Sequence, residues 1–470
     1  MSDSLAAIIL AAGRGKRMRS KLPKVLHPVC EVPLVAHVVR LALARGCSPV
    51  VVVIDPQGVR TRELLTALFP EASLVFAIQR EQRGTGDAAR AGLEAIADFR
   101  GRVLLLAADV PLLRSKTVAR LEKKAKHASA VVLTTRVEDP TGYGRIVRDG
   151  KVVKRIVEHA DASKEERSID EINSGVYLFD SALLRRAVLS LNASNAQGEF
   201  YLTDVVEMAA LEGLAAAVET TDTDECRGVN TRAQLAQAEV ALRGRLIAAW
   251  QDKGVTFVDP TNTFVGMDVK IGKDATIGVG VQLWGHTKVG AGAVIHGPSV
   301  IRDSEVGSHT EVHSFSHLQG TVVGKGAQIG PYARLRPEAK LSDGVKVGNF
   351  VEIKKSHIGA GAKVNHLSYV GDASVGAGSN VGAGTITCNY DGQAKHRTVL
   401  AEGVFIGSNT TLVAPVTLGR GAYVAAGSTV TKAVPADALA FGRSRQVNRE
   451  GYAQSMRQRQ KQQAPKKSRG

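Results

Sequence analysis

Two groups of residues in this 470-residue chain have types and spacings that could do chemistry. The first is centred on "LAAGRGKRM", Leu10 to Met18, where Ala11, Ala12 and Gly13 close an apolar run, Arg14, Lys16 and Arg17 follow, and Lys24 comes shortly after in "LPK". Small residues let a backbone turn approach a ligand closely, and exposed N–H groups in such a turn hold phosphate, with the cations beside them supplying opposite charge. The GxxxxGK[ST] spacing of an NTP-hydrolysing P-loop is missing, so cleavage of a terminal phosphate is not the chemistry indicated. Asp109 ends the apolar run "VLLLAAD" and so puts a carboxylate at a strand end, a hard oxygen ligand of the kind Mg²⁺ takes. Taken alone, the glycine turn also fits a purely steric strand-to-helix connection, and Asp109 a turn before Pro111.

The second group sits on a repeat. Arg336 and Lys354 each follow an aliphatic residue and are 18 positions apart. If 18 residues make one coil, the two cations stack about 4.8 Å apart and repel unless an anion lies between them, which makes the pair a phosphate-site candidate. Two solvated cations splaying apart are the bland alternative. His366 follows Val364 by two and Ala383 follows Val381 by two, again one coil apart. An imidazole with a pKa near 6.5 can take a proton from an ammonium substrate while a backbone N–H one rung away polarises a carbonyl. His296, His309, His313, His317 and His357 share the same repeat, so the spacing alone does not single His366 out.

The elements that must position these residues fall into three regions. From residue 5 to about 230, "AAIILAA", "SPVVVVI", "SLVFAI", "VLLLAAD" and "SAVVLTTRV" alternate with helical patterns, which predicts an α/β doubly wound, Rossmann-like domain with a parallel sheet and ligands at the strand ends. Residues 231–252, with Leu235, Leu242, Leu246 and Trp250 at helical spacings after Asn230 and Thr231 as caps, predict a connecting helix. Over 253–442, aliphatic residues recur every six positions: Val265, Ile271, Ile277, Leu283, Val289, Ile295 and Ile301, then, after occasional steps of five, through Val306, Val312, Ile353, Val370 and Val381 to Ile406 and Val430. That is the pattern of a hexapeptide parallel β-helix. One interruption, "TCNYDGQAKHR", must loop out of it, and solenoid insertions often line a binding face.

The first region resembles the sugar-nucleotide pyrophosphorylases in "LAAGRGKRM" with "LPK", "QREQRGTGDA", "AADVPL", "TGYGRI", "IVEH", "INSGVY" and "GVNTR". With the hexapeptide repeat, "NFVEIKK", "NHLSYVGD" and "GAGTITCNYDG", nearly the whole chain is similar to a bacterial family that joins N-acetylglucosamine-1-phosphate uridylyl transfer to glucosamine-1-phosphate acetyl transfer. The resemblance implies attack by a sugar-1-phosphate on the α-phosphorus of UTP, assisted by Mg²⁺ on Asp109 and Asn230, with Arg17 and Lys24 bracing the triphosphate. It places Leu10, Ala11, Ala12, Gly13, Gln79, Gly84, Thr85, Ala107 and Ala108 at the nucleotide, and Gly144, Glu158 and Asn173 at the sugar. On the solenoid it implies a left-handed β-helix with His366 as base and Arg336, Lys354, Tyr369, Asn380 and Lys395 on the sugar phosphate. It puts Ala383, Asn389, Tyr390, Ser408, Ala426 and Arg443 at acetyl-CoA. It also implies a homotrimer whose acetyl-transfer site is completed at a subunit boundary by the looped-out segment. Two positions depart from the family pattern: Ala108 replaces a glycine before Asp109, and "CEVPL" replaces a turn that commonly contains glycine. The rival readings are a pyrophosphorylase for another sugar with a regulatory solenoid, and a non-catalytic scaffold of the same plan.

Composition narrows the field further. The net charge of +16 would favour nucleic acid as a partner, but residues 443–470 hold nine Lys or Arg and one acid, half the excess, in a stretch that reads as a disordered tail rather than a reading surface. No specific nucleic-acid binding is expected. The four cysteines, Cys30, Cys47, Cys226 and Cys388, have no metal-ligand spacing and suit free thiols in a reducing cytoplasm. No run approaches the length of a membrane span, so membrane insertion is not expected.

Overall fold

The computed structural model describes residues 4–13 and 15–463. The chain divides into two compact units, Met1–Asp252 with Phe264–Val269, and Lys253–Thr263 with Lys270–Gly470.

In the first unit the chain runs β1 (Leu5–Leu10), the two-residue strands β2 (Pro28–Val29) and β3 (Val32–Pro33), α1 (Leu34–Ala44), β4 (Val50–Ile54), α2 (Val59–Leu68) and β5 (Leu74–Ile78). Next come α3 (Thr85–Glu94), β6 (Arg102–Ala107), α4 (Ser115–Ala125), β7 (Ala130–Arg136), the hairpin β8 (Arg145–Asp149) and β9 (Val152–Val157), and the one-turn α5 (Lys164–Arg167). The unit's last elements are β10 (Glu171–Asp180), α6 (Ser181–Ser190), α7 (Asp204–Leu211), β11 (Ala215–Glu219) and α8 (Arg232–Gln251). The sheet order is β11-β7-β10-β6-β1-β4-β5, with β8 and β9 attached beside β10. Strands apolar on both faces are covered on both sides. All of β4 is buried, and helices such as α4 turn Thr117, Val118, Leu121 and Ala125 inward at helical spacings.

The expected all-parallel sheet needs correcting at one strand. β10 runs antiparallel to both β6 and β7, so the sheet is mixed. A hairpin and a single turn of helix, rather than a full crossover helix packed on the sheet, lead into β10.

Helix α8 starts with a capping box in which Thr231 accepts from the Gln234 N–H and Gln234 reaches back. It was expected as a connector between domains, but it belongs to the first unit, where Ala238 and Leu242 pack with Val29, Leu34 and Val229. The "CEVPL" turn between β2 and β3 places Cys30 and Glu31 at φ 45 and 68, a region that favours glycine. Glu239 on α8 holds it by accepting from the Cys30 N–H at 2.6 Å. Ala108 has no positive φ, which is why an alanine serves there.

The second unit is a left-handed parallel β-helix of hexapeptide repeats whose strands, two to four residues long, form three parallel sheets. The six-residue anchors from Val265 to Val430 point inward and are buried, Ile277, Ile295, Val312, Ile353 and Val364 completely. Where glycine follows an anchor it has a steric cause: a Cβ on Gly272 would lie 2.5 Å from the Ala291 N of the next coil. Buried hydroxyls fill corners and many are hydrogen-bonded, as where Thr321 N donates to Ser304 Oγ at 3.2 Å.

The looped-out segment is shorter than expected. Thr387 occupies the inward position six after Val381 and, with Cys388, lies in the strand Ile386–Cys388, so residues 389–397 form the insertion. A threonine anchor escapes a search for aliphatic residues; here its Oγ accepts from the Gly371 N–H at 2.8 Å. The basic tail, expected to be disordered, forms an α-helix over Tyr452–Gln463 with every residue exposed. The rest of that expectation, residues 464–470, lies outside the described residues, as does Arg14.

Candidate functional sites

The carboxyl ends of β1 and β6 lie side by side, with Leu10 opposite Ala107, at the place where connections leave the sheet in opposite directions. A cleft of about 380 Å³ opens there, lined by Leu10, Ala11, Ala12, Gly13, Lys24, Gln79, Gly84, Thr85, Ala107 and Asp109. Ala108 sits behind it, buried, donating its N–H to Leu10 O at 3.0 Å. Nothing stands within 4 Å of where a Gly13 Cβ would be, so the turn faces open space.

Lys24 reaches this cleft because Gly15 lets it. Gly15 has φ +59, and a Cβ there would be 2.4 Å from Lys24 Cβ. The Lys24 ammonium donates to the Asp109 carboxylate and to Asn230 Oδ1 at 3.1 Å. Two hard oxygen donors from distant parts of the chain therefore converge on one cation, with Lys24 and Asp109 side chains only 12% and 18% exposed, so water screens their charges weakly. That donor set fits Mg²⁺. Gly84, at φ +105, has Phe200 O 2.6 Å from its Cβ position, and Gln79 holds the same turn through Gly84 O at 3.1 Å.

Gly144, Glu158 and Asn173 form a neighbouring cluster. A Gly144 Cβ would lie 3.4 Å from Glu158 Oε2 and 3.5 Å from Asn173 Cβ, and Asn173 N donates to Gly144 O at 2.9 Å. Burial raises the Glu158 pKa, with help from the nearby acids Asp161, Asp204 and Glu199. Arg17 stands exposed on the turn Lys16–Met18, outside the lining of the cleft. Gln82 and Glu199 also line the cleft and were not foreseen, although Gln82 lies within the "QREQRGTGDA" motif.

On the solenoid, Leu335 pairs with Ile353, so Arg336 and Lys354 leave neighbouring rungs at the same point. The inserted hairpin, closed by a bridge between Tyr390 and Lys395, adds a third cation. Lys354 is held below the ordinary lysine pKa, chiefly by its hydrogen bond to Lys395 and by that residue's charge, and further by Arg336. Arg336 is partly neutralised by Glu352 at 2.8 Å, a contact the spacing argument did not contain. Tyr369 Oη meets Asn389 Nδ2 at 3.5 Å beside this cluster.

The remaining residues gather in a groove of about 510 Å³ lined by His366, Asn380, Ala383, Ser408 and Ala426. Asn380 lines this groove with His366. Arg443 is exposed and stands near Gly427, its Cδ 3.8 Å from where a Cβ would be, and Tyr390 is exposed on the insertion with its hydroxyl on Gly392 O at 2.6 Å. His366 pairs in register with Asn349, and its Nδ1 is 2.9 Å from Asn349 Oδ1. With Nδ1–H donating to that oxygen, Nε2 keeps the lone pair. Asn349 was missed; its position 17 residues before His366, one coil away, was the available signal.

Residues 7–198 match the MobA-like NTP transferase domain, and residues 397–432 match the bacterial transferase hexapeptide (six repeats). Over 447 residues the chain is 48% identical to the bifunctional protein GlmU of Syntrophotalea carbinolica, covering 94% of this chain and 96% of that one. It is 44% identical to the GlmU protein of Geotalea uraniireducens, with 96% and 99% covered, and 46% identical to that of Sorangium cellulosum, with 98% and 98%. At this identity over nearly the full length of both chains, the chain belongs to the family of the bifunctional protein GlmU.

Proposed function

We propose that the chain is a bifunctional enzyme of UDP-N-acetylglucosamine synthesis. It transfers acetyl from acetyl-CoA to glucosamine-1-phosphate, then uridylyl from UTP to N-acetylglucosamine-1-phosphate, releasing pyrophosphate. The observation that carries this reading is that each unit holds its own cleft with the groups its step needs, on top of the family membership.

In the first cleft two anions must meet, so positioning and charge neutralisation dominate. The turn Leu10–Gly13 offers backbone N–H groups toward open space, Lys24 brings an ammonium to the same rim, and Gly144, Glu158 and Asn173 hold the sugar. Arg17 braces the triphosphate from its exposed turn. Asp109 and Asn230 would hold Mg²⁺, which when bound supplies Lewis-acid neutralisation of the phosphate oxygens.

On the solenoid, Arg336, Lys354 and Lys395 hold the sugar phosphate, with Tyr369 beside them. His366 Nε2 removes a proton from the substrate ammonium. The freed amine attacks the thioester carbonyl, whose oxygen the Ala383 N–H polarises; the adduct nitrogen gives up its second proton as the C–S bond breaks, the departing CoA takes up a proton and leaves as the thiol, and His366 returns the first proton to water. Asn349 fixes the tautomer that makes Nε2 the base. Asn380 joins the sugar-phosphate ligands, and Ala383, Asn389, Tyr390, Ser408, Ala426 and Arg443 contact acetyl-CoA or complete its site. Arg336 and His366 lie on different stretches of the coil surface, which supports a homotrimer in which the insertion of one chain completes the site of the next. Four free cysteines and the lack, among the described residues, of any helix long and apolar enough to cross a membrane support a cytoplasmic location.

Separate half-reaction assays on the purified chain test this. CoA release is expected with glucosamine-1-phosphate and not glucose-1-phosphate, and pyrophosphate release with UTP and N-acetylglucosamine-1-phosphate. Pyrophosphate release without any CoA release would favour the reading in which the solenoid serves only assembly.

A further inference from the structure

The solenoid carries a cluster that belongs to the lining of neither cleft and that neither transfer uses. Val294–Ile295 and Glu311–Val312 are paired strands of successive coils, with Val294 opposite Glu311 and Ile295 opposite Val312. The residue after each buried anchor is a histidine, so His296 and His313 leave the surface one above the other, their rings stacked at 5.4 Å and 3° from parallel. Glu311, two residues before His313 on the same strand, faces the same way. Its Oε1 is 2.7 Å from His296 Nε2 and 3.8 Å from His313 Nδ1. One ligand atom from each of the three residues lies within 4.8 Å of the other two, and all three side chains are open to solvent.

We propose that His296, Glu311 and His313 form a site for Zn²⁺ or a chemically similar borderline transition-metal ion, which clips two neighbouring coils together. Two imidazole nitrogens and a carboxylate oxygen are the donors that such ions select, at about 2.0–2.2 Å, whereas Mg²⁺ prefers oxygen alone. Donors bound tetrahedrally at those lengths sit about 3.3 to 3.5 Å apart, so around one ion the 2.7 Å contact to His296 opens and the 3.8 Å contact to His313 closes, each by a fraction of an ångström. The carboxylate between the rings already orients them, and the register of buried Ile295 and Val312 fixes both backbones, so little ordering remains to oppose binding. Three protein ligands leave one position for water, which suits a site facing solvent. The site is chemically distinct from the oxygen donors at Asp109 and Asn230, so the two ions do not compete on equal terms.

The test uses the full chain, stripped with a chelator and returned to excess Mg²⁺, then titrated with Zn²⁺ alone. The wild-type chain is expected to take up about one Zn²⁺ with a Kd on the order of micromolar, and its melting temperature to climb with added Zn²⁺. The variant carrying His296→Ala and His313→Ala should lose both responses while keeping both transfer activities. Glu311→Gln, which keeps the side-chain shape, should bind roughly tenfold or more weakly. No uptake by the wild type at micromolar Zn²⁺, or equal uptake by the double variant, would overturn the proposal; so would full affinity in Glu311→Gln.

Discussion

Three cations crowd one point of the solenoid: Arg336, Lys354 and Lys395 come together with Glu352 and Asp372 nearby, and the depressed pKa of Lys354 records the repulsion. An anion that enters would relieve that repulsion, which suits the cluster to the phosphate role proposed for it. Removing one charge-assisted contact from it should cost binding more than chemistry. Lys354→Ala is therefore expected to raise KM for glucosamine-1-phosphate about 10- to 100-fold in the acetyl-transfer assay, with uridylyl transfer unchanged. Steady-state kinetics checks this, and an unchanged KM would remove Lys354 from the phosphate site. Because the Lys354 pKa lies below the ordinary lysine value, its charge begins to disappear at lower pH than usual, and KM should start to rise there too. Arg336 and Lys354 were legible from an 18-residue count, because in a solenoid sequence spacing is spatial stacking. Lys395 was not, because its place depends on how a hairpin folds back rather than on any period.

At the scale of elements, the repeat was legible residue by residue because one rule, an aliphatic side chain inward every six positions, holds for almost every coil. It failed where a buried threonine took the inward place, so the insertion was read two residues too long. In the α/β unit the apolar runs announced β1, β4, β5, β6 and β7, but not that β10 enters antiparallel, since a buried strand looks the same in either direction. One edge of the solenoid carries a ladder of Phe315, Tyr332 and Phe350, stacked at 4.8 and 5.2 Å and each about half exposed, with Leu367 following on the next coil. Apolar surface arranged in a row like this favours burial against another chain. Sedimentation equilibrium of the full-length protein is expected to give three chain masses, and a single chain mass at micromolar concentration would contradict the trimer.

For the molecule as a whole, two units carry two kinds of chemistry with different demands: charge neutralisation at the rim of a mixed sheet, and proton removal beside a stack of coils. Neither cleft borrows a named residue from the other, so each activity should fail alone. The measurement that bears most directly on this compares both half-reactions in Asp109→Asn and His366→Ala. The first should lose UTP-dependent pyrophosphate release and keep CoA release; the second should lower CoA release by roughly 10²- to 10⁴-fold and keep pyrophosphate release. Parallel loss of both activities in either variant, with the fold intact by circular dichroism, would contradict the account.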